Sequence, residues 1–187
     1  MIEKLKIIFL DRDGVVNKDR PDYVKSWAEF EFLPGSLEAL RLLTANHYHP
    51  IIITNQSVIN RKMVTEAELK MIHEKMISAV AAQGGKIEAV YYCPHLPEDD
   101  CDCRKPKPGL ILRAQADYGL DLSDTCMVGD NLKDIQCARL AGCGKAILVR
   151  TGHGKYAERI CREVNVLPDY VADDLLTAVK WLLENER

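Results

Sequence analysis

Short apolar runs alternate with longer amphipathic stretches along the chain, and this pattern constrains the fold more than any other feature. The runs lie at residues 5–10, 51–54, 89–92, 126–128 and 146–149. Each has the length and composition of a buried parallel strand. Strands that alternate with helical stretches predict an α/β fold, with a Rossmann-like, open, mostly parallel sheet and helices on both of its faces.

The clearest helical stretch begins with a capping box. Thr65 and Glu68 lie three residues apart, and apolar residues follow at positions 69, 72, 76 and 80, the spacing of one helix face. Further helices are predicted at 37–43, after Pro108 and at 175–183, and Gly142 marks a helix end. Because we find no linker or repeat, we expect a single domain over residues 1–187.

Composition and charge narrow the classes of function. The chain has 187 residues, of which 47% are hydrophobic and 28% charged, and its formal net charge is -3. This balance does not favour nucleic acid or an anionic membrane as a partner. The first apolar run ends at Asp11 and is too short for a signal-peptide core or a membrane span. We therefore expect a cytoplasmic monomer.

Two acid pairs follow predicted strands. Asp11 and Asp13 come after the first run and point to the same side if the chain is extended there. Asp130 and Asp134 come after the fourth run and share one face if a helix begins there. Ligands of such sheets bind at the carboxyl ends of the strands, and hard carboxylate oxygens suit Mg²⁺. Ordinary turn and N-cap roles are the alternatives.

Anion-binding groups follow the second and third runs. Thr54, Asn55, Gln56 and Ser57 offer hydroxyl, amide and backbone N–H donors ahead of a helix. Residues 104–108 read Arg-Lys-Pro-Lys-Pro, where the two prolines stiffen the backbone that carries the cations. A polar turn and a solvated basic loop are the alternatives for these two segments.

Residues 93–103 contain a compact set of metal ligands. Three thiols and one imidazole stand in the pattern C-x-H-x5-C-x-C, at Cys93, His95, Cys101 and Cys103. This is a closed tetrahedral set that suits a structural Zn²⁺. The alternative is a chance cluster of reduced cysteines, but a short polar loop offers no core in which to bury them. Zinc would also hold Arg104 and Lys105, which follow directly, in place.

The four strand ends together resemble the haloacid dehalogenase-like superfamily, through the motifs DRDGV at 11–15, the Thr54 region, Lys105 and GDNLKD at 129–134. The resemblance implies a phosphatase in which Asp11 is the nucleophile and Asp13 the general acid and base. It also implies that Thr54 and Lys105 bind phosphoryl oxygens. Catalytic Mg²⁺ would be held by Asp11, the backbone carbonyl of Asp13 and Asp130, while Asp134 would steer Lys105 or water on the metal.

Within that superfamily, the zinc loop with TNQS (54–57) and CRKPKPG (103–109) is similar to the branch of heptose bisphosphate and histidinol-phosphate phosphatases. The connections leave no room for a large cap domain. The resemblance implies a small phosphorylated metabolite, with a sugar bisphosphate ahead of histidinol phosphate, and a role in heptose precursor synthesis. Arg104, Arg61 and Lys107 would hold its second phosphate. The expected substrate-binding residues are Arg12, Asp19, Tyr23, Thr54, Asn55, Gln56, Ser57, Arg104 and Lys105.

Other classes of function remain open at this point. A phospho-accepting signalling domain also places acids and a lysine around magnesium, but an acid/base at Asp13 would shorten the life of its aspartyl-phosphate. A zinc-organised binding module without catalysis and a polynucleotide 3'-phosphatase are less well supported. The remaining thiols and imidazoles are expected to be structural, namely Cys126, Cys137, Cys143, Cys161, His47, His49 and His73. Of the histidines outside the zinc set, His153 alone could reach a substrate.

Overall fold

Six parallel strands form the central sheet of the computed structural model, which describes residues 5–185. Their order is β3-β2-β1-β4-β5-β6, so the chain builds one half of the sheet outward from β1 and then returns to build the other half from β4. The strands are β1 (Lys6–Leu10), β2 (Tyr48–Asn55), β3 (Ala89–Cys93), β4 (Cys126–Gly129), β5 (Lys145–Val149) and β6 (Tyr170–Ala172). This reversal places a crevice between the carboxyl ends of β1 and β4.

Six helices cover the sheet: α1 (Ser36–Ala45), α2 (Glu66–Ala82), α3 (Gly109–Tyr118), α4 (Leu132–Ala141), α5 (Gly154–Glu163) and α6 (Leu175–Glu184). Alternate residues of β1 face opposite cores. Ile8 and Leu10 pack in the core that α1, α2 and α6 cover, and Ile7 and Phe9 pack in the core that α3, α4 and α5 cover. The α/β fold class is therefore confirmed, with every strand pair in the described part of the chain parallel.

The capping box at the start of α2 forms as predicted. The Thr65 hydroxyl accepts a hydrogen bond from the Glu68 N–H, and a Glu68 carboxylate oxygen accepts one from the Thr65 N–H at 2.8 Å. The strand β2 begins at Tyr48, earlier than the apolar run at 51–54 predicts, and it includes Pro50. Pro50 is tolerated since β3 pairs with β2 only from Ile51 onward, so no ladder needs the missing Pro50 N–H on that side.

Two elements were not predicted. The strand β6 has only three residues, and two of them are half-buried. The helix α5 buries only Gly154, Ala157 and Cys161, so it presents small residues to the core and lacks the large apolar stripe that identifies a helix in a sequence. No helix among residues 5–185 combines the length and the apolar character needed to cross a membrane.

The connections that approach the crevice are short or irregular. Residues 11–35 contain one 3₁₀ turn (Trp27–Glu29) and isolated bridges between Asp13, Asn17 and Phe32. Residues 94–108 contain one 3₁₀ turn (Pro97–Asp99). Neither connection adds a layer over the sheet, which agrees with the expectation of loops rather than a large cap.

Candidate active site

A cavity of about 370 Å³ opens at the carboxyl ends of β1, β2 and β4. It brings together most of the residues that the sequence singled out: Asp11, Asp13, Asp19, Tyr23, Thr54, Asn55, Ser57, Arg104, Lys105 and Asp130. A larger cavity of about 690 Å³ lies at the opposite end of the strands, near Lys6 and Lys145. Of these two cavities, only the first is lined by residues that were predicted to bind or react with a substrate.

Three acids and one lysine form the base of the cavity. Carboxylate oxygens of Asp11, Asp130 and Asp134 all lie within 4.8 Å of one another. The Lys105 Nζ lies 2.8 Å from Asp11 Oδ1 and 2.7 Å from Asp134 Oδ1, and it donates to the Ile53 carbonyl at 2.8 Å. Lys105 is only 2% exposed. One buried cation thus pairs directly with two of the three buried carboxylates, Asp11 and Asp134.

Burial and mutual repulsion shift the protonation of these groups. Burial raises the pKa of Asp11 to about 6, against the opposing effect of the Lys105 charge. Burial, together with repulsion from Asp11 and Asp134, raises the pKa of Asp130 to about 8. Burial alone would lower the pKa of Lys105, but the charges of Asp11 and Asp134 outweigh it and raise that pKa well above its usual range. The cluster carries an excess of negative charge that a divalent cation would relieve.

Glycines allow the backbone to pack against Asp130. A Cβ atom at Gly14 would lie 2.2 Å from Asp130 Oδ2, and a Cβ atom at Gly152 would lie 2.1 Å from the same oxygen. Both glycines have positive φ, at 87° and 54°. The His153 N–H then donates to Asp130 Oδ2 at 2.8 Å, and the Thr151 hydroxyl donates to the Gly14 carbonyl at 2.6 Å. The loop after β5 therefore fixes the orientation of the Asp130 carboxylate.

The Asp13 carboxylate is held by three side chains. Asp13 Oδ1 accepts from Arg12 and from Asn17 Nδ2, both at 2.9 Å, and Asp13 Oδ2 accepts from Arg12 at 2.9 Å and from Gln56 Nε2 at 2.8 Å. Burial would raise the pKa of this carboxyl, but the Arg12 charge and the hydrogen bonds from Arg12, Asn17 and Gln56 together lower it. Asp13 is consequently ionised and fixed in orientation.

Two residues expected to bind the substrate, Arg12 and Gln56, do not line the cavity in this structure. Arg12 is 1% exposed and is not on the cavity wall, because its guanidinium is engaged by Asp13 and by His73 Nε2, 3.1 Å away. Gln56 is also buried and bonds Asp13 and the Thr54 hydroxyl. Both side chains act on other site residues in this structure. His73 comes from α2, and only a structural role was predicted for it.

The three other cations expected near the substrate differ in placement. Arg104 lies on the cavity wall. Lys107 instead pairs with Asp100 at 2.7 Å, and Arg61 lies with its guanidinium carbon 5.8 Å from the centre of the Tyr23 ring. Two further cations, Arg20 and Lys133, line the cavity, although neither was predicted to contact the substrate. Lys133 stands inside the motif at 129–134 and could have been found there.

At the mouth of the cavity, Asp19 and His153 meet across two loops. The His153 Nε2 lies 2.8 Å from Asp19 Oδ2, and both residues line the cavity. Asn55 holds the neighbouring wall, since its side-chain amide makes reciprocal hydrogen bonds with the backbone N–H and carbonyl of Lys105 at 3.1 and 3.2 Å. His153 therefore lies on the cavity wall, in a position to contact a ligand there.

The four predicted zinc ligands converge in space. The sulfur of Cys93 lies 3.1 Å from that of Cys103 and 3.5 Å from that of Cys101, and His95 Nδ1 lies 3.3 Å from the sulfur of Cys103. None of these thiols is in a disulfide. A tetrahedral zinc–thiolate centre with bonds of about 2.3 Å would separate its sulfurs by about 3.8 Å, so the donor set and its spacing fit zinc.

The cysteine cluster is connected directly to the cavity wall. Arg104 NH1 donates to the His95 carbonyl at 2.9 Å, and the Gly109 N–H donates to the Asp102 carbonyl at 3.1 Å. Residues 93–109 therefore form one hydrogen-bonded loop that carries the cluster on one side and Arg104 with Lys105 on the other.

Comparisons with known proteins agree with this arrangement. A family model described as HAD-hydrolase-like matches residues 102–178. A D-glycero-beta-D-manno-heptose-1,7-bisphosphate 7-phosphatase of Neisseria meningitidis serogroup A is 41% identical over 182 residues, which cover 96% of each chain. The enzyme of the same name from Bordetella bronchiseptica is 46% identical over 151 residues, covering 81% of this chain and 84% of that one.

A solved structure extends the similarity to three dimensions. The D,D-heptose 1,7-bisphosphate phosphatase from B. bronchiseptica, complexed with magnesium and phosphate, matches with a TM-score of 0.90 and 41% identity, covering 97% of this chain and 100% of that one. Fold, site and relatives together define a phosphoric monoester hydrolase of the haloacid dehalogenase type. Within that class, the chain belongs to the family of the D-glycero-beta-D-manno-heptose-1,7-bisphosphate 7-phosphatases.

Proposed function

We propose that this protein removes the 7-phosphate of D-glycero-D-manno-heptose 1,7-bisphosphate in a magnesium-dependent reaction that passes through an aspartyl-phosphate on Asp11. The observation that carries the proposal is the buried cluster of Asp11, Asp130, Asp134 and Lys105 at the floor of the cavity. The names of the relatives support the substrate, and the bound magnesium and phosphate of the B. bronchiseptica enzyme support the cofactor.

The residues at the floor fit a magnesium ion. Asp11, Asp130 and the backbone carbonyl of Asp13 would hold it with hard oxygen donors, and it would relieve the repulsion that raises the pKa of Asp11 and Asp130. When bound, magnesium offsets the negative charge of the nucleophile and the phosphoryl group, so that two anions can approach each other. Asp134 pairs with Lys105 and serves to orient it.

The first half of the reaction transfers the phosphoryl group to the protein. A carboxylate oxygen of Asp11 attacks phosphorus, and the bond from phosphorus to the sugar oxygen breaks. That oxygen takes a proton from Asp13, which leaves an alcohol. A phosphate dianion beside Asp13 favours the protonated form of this carboxyl, against the groups that lower its pKa in the free site. Lys105 and Thr54 bind the phosphoryl oxygens and stabilise the charge that builds up on them.

The second half regenerates the free carboxylate. Asp13, now ionised, accepts a proton from a water molecule whose oxygen attacks phosphorus, and the bond from phosphorus to Asp11 breaks. Inorganic phosphate leaves, and Asp13 again carries the proton that it gave to the first leaving group. A base so close to the phosphorylated residue argues for turnover rather than for a long-lived signalling state.

The second phosphate of the substrate needs cations away from the floor. Arg104, Arg20 and Lys133 line the wall. We propose that Arg104 is the main contact, because its NH1 already donates to the His95 carbonyl and the guanidinium is held in place on the wall. Structural zinc at the cysteine cluster would hold this loop in shape. The expectations of a monomer, a cytoplasmic location and no nucleic-acid or membrane partner stay predictions.

The test is phosphate release with magnesium from a panel of substrates, compared by kcat/KM: heptose 1,7-bisphosphate in both anomers, fructose 1,6-bisphosphate, histidinol phosphate and a 3'-phosphorylated oligonucleotide. Preference for a heptose bisphosphate, with 1-phosphate as the sugar product, supports the proposal. Preference for histidinol phosphate would keep the mechanism and change the substrate. Release from none of them would refute the proposed activity.

A further inference from the structure

A buried histidine on α2 contacts the arginine that holds the proposed acid/base. Arg12 presents two guanidinium nitrogens to Asp13: NH2 lies 2.9 Å from both carboxylate oxygens, and Nε lies 3.3 Å from Oδ1. The third nitrogen, NH1, lies 3.1 Å from His73 Nε2. His73 is 6% exposed and stands 61 residues further along the chain. The guanidinium therefore links α2 to Asp13.

The chemistry of the pair fixes the protonation state of the imidazole. A guanidinium can only donate hydrogen bonds, so His73 Nε2 must be the accepting lone pair and the ring proton must lie on Nδ1. A protonated ring would offer Arg12 a second donor and a second positive charge. In agreement with this geometry, burial and the Arg12 charge lower the pKa of His73 to about 3. The ring is therefore a neutral acceptor at neutral pH.

Aromatic rings lie beside both the Arg12 guanidinium and the His73 imidazole. The Arg12 guanidinium carbon lies 6.0 Å from the centre of the Phe30 ring, and the His73 ring centre lies 5.9 Å from that of Tyr92. Arg12 itself is 1% exposed. With NH1 bound to a fixed acceptor, the plane of the guanidinium cannot rotate freely. This plane, together with the hydrogen bonds from Asn17 and Gln56, sets where the two oxygens of Asp13 point.

We propose that His73 is a positioning residue for the acid/base step: by accepting a hydrogen bond from Arg12 NH1, it holds the guanidinium that aims the Asp13 carboxyl at the leaving oxygen. The inference rests on the proposed function, since it assigns the proton transfer to Asp13. It predicts that loss of the acceptor weakens proton donation to the leaving group and leaves nucleophilic attack by Asp11 intact.

The experiment compares two substrates that differ in their need for a proton. The sugar of heptose bisphosphate would depart as an unstable alkoxide unless Asp13 protonates its oxygen, whereas p-nitrophenyl phosphate releases p-nitrophenolate, a stable anion that needs no proton. The ratio of the two kcat/KM values reports general acid catalysis, because kcat/KM includes only steps up to departure of the leaving group. The variants are His73→Phe, which removes the acceptor, and His73→Gln, which can restore it with its side-chain carbonyl. His49→Phe is the matched control, since His49 lies at the opposite end of β2 and bonds Glu88.

We expect His73→Phe to lower kcat/KM for heptose bisphosphate on the order of tenfold, below the roughly 10²- to 10⁴-fold effect of losing a general acid altogether. The value for p-nitrophenyl phosphate should change less than about twofold, His73→Gln should recover most of the loss, and His49→Phe should behave as wild type. Equal losses on both substrates, or no loss on either, would overturn the positioning role while leaving the phosphatase activity in place. A wild-type protein that hydrolyses neither substrate would overturn the proposed function and the positioning role with it.

A second measurement does not depend on the folding of any variant. The ¹⁵N spectrum of the wild-type imidazoles should show His73 as a neutral ring with its proton on Nδ1. A proton on Nε2, or a doubly protonated ring near neutral pH, would be incompatible with acceptance from Arg12 and would overturn the proposal.

In a double-mutant cycle, His73→Phe should have no further effect on the substrate ratio once Arg12→Met has removed the guanidinium.

Discussion

Replacing Asp130 with asparagine should change how the stability of the magnesium-free protein depends on pH. Burial and repulsion from Asp11 and Asp134 raise the pKa of Asp130 to about 8, against 3.8 in an unfolded chain. Between these values the folded protein keeps a proton that the unfolded chain has lost, so stability falls as pH rises through the folded pKa. At about 1.36 kcal/mol per pKa unit, the contribution of Asp130 falls by about 1 kcal/mol between about pH 7 and pH 8.5.

Urea unfolding of both proteins, followed by tryptophan fluorescence in magnesium-free buffer at these two pH values, provides the measurement. Buried thiols and His73 also change the absolute slope, but they are common to both proteins, so the difference between the two slopes isolates Asp130. Asp130→Asn should lose about 1 kcal/mol less than wild type over this range. Saturating magnesium should stabilise wild type, more so at the higher pH, and should have little effect on the variant. Equal slopes in both proteins would refute the account of the acid cluster.

Three other perturbations test separate parts of the structure. Lys105→Met leaves three buried carboxylates without their cation. The kcat should fall roughly 10²- to 10³-fold, and the free energy of unfolding should fall by about 3–5 kcal/mol. Steady-state kinetics and urea unfolding measure these two effects, and an unchanged kcat would contradict the role of Lys105. Cys101→Ser should lower zinc content, Tm and kcat together, measured by metal analysis and calorimetry, whereas Cys143→Ala, outside the cluster, should keep its zinc. Thr65→Ala removes the capping box of α2 and should cost about 1 kcal/mol of stability in urea, with kcat/KM unchanged; a large loss of activity would show that this helix end matters to the site.

Much of the fold could be read from the sequence, because buried parallel strands leave a direct record of apolar residues. The runs that became β1 and β4 are of this kind, and the polar residues that end them predicted the position of the cavity. This apolar pattern is missing from the sequence where a helix or strand buries few large apolar side chains. Helix α5 contacts the core through Gly154, Ala157 and Cys161. Neither a glycine nor a single cysteine predicts a helix.

The site was predictable where function depends on residue type at a strand end, and less so where it depends on contacts across the fold. Asp11 and Asp130 directly follow β1 and β4 and converge for that reason, whereas Lys105 reaches them from the loop after β3. The contact between Arg12 and His73 joins residues 61 positions apart, and no local pattern relates them. Likewise, the pairing of Lys107 with Asp100 depends on the fold of the zinc loop, so the sequence could not tell a substrate-binding cation from one engaged by its own loop.

The most direct test of the account is to look for the covalent intermediate. During turnover of heptose 1,7-bisphosphate with magnesium, acid-quenched wild-type protein should carry a phosphoryl group on the peptide that contains Asp11, identified by mass spectrometry. The Asp11→Asn variant should carry none and release no phosphate, while keeping the fold and zinc content of wild type. Phosphoryl label on another residue, or near-normal turnover by Asp11→Asn, would contradict the assignment of Asp11 as the nucleophile.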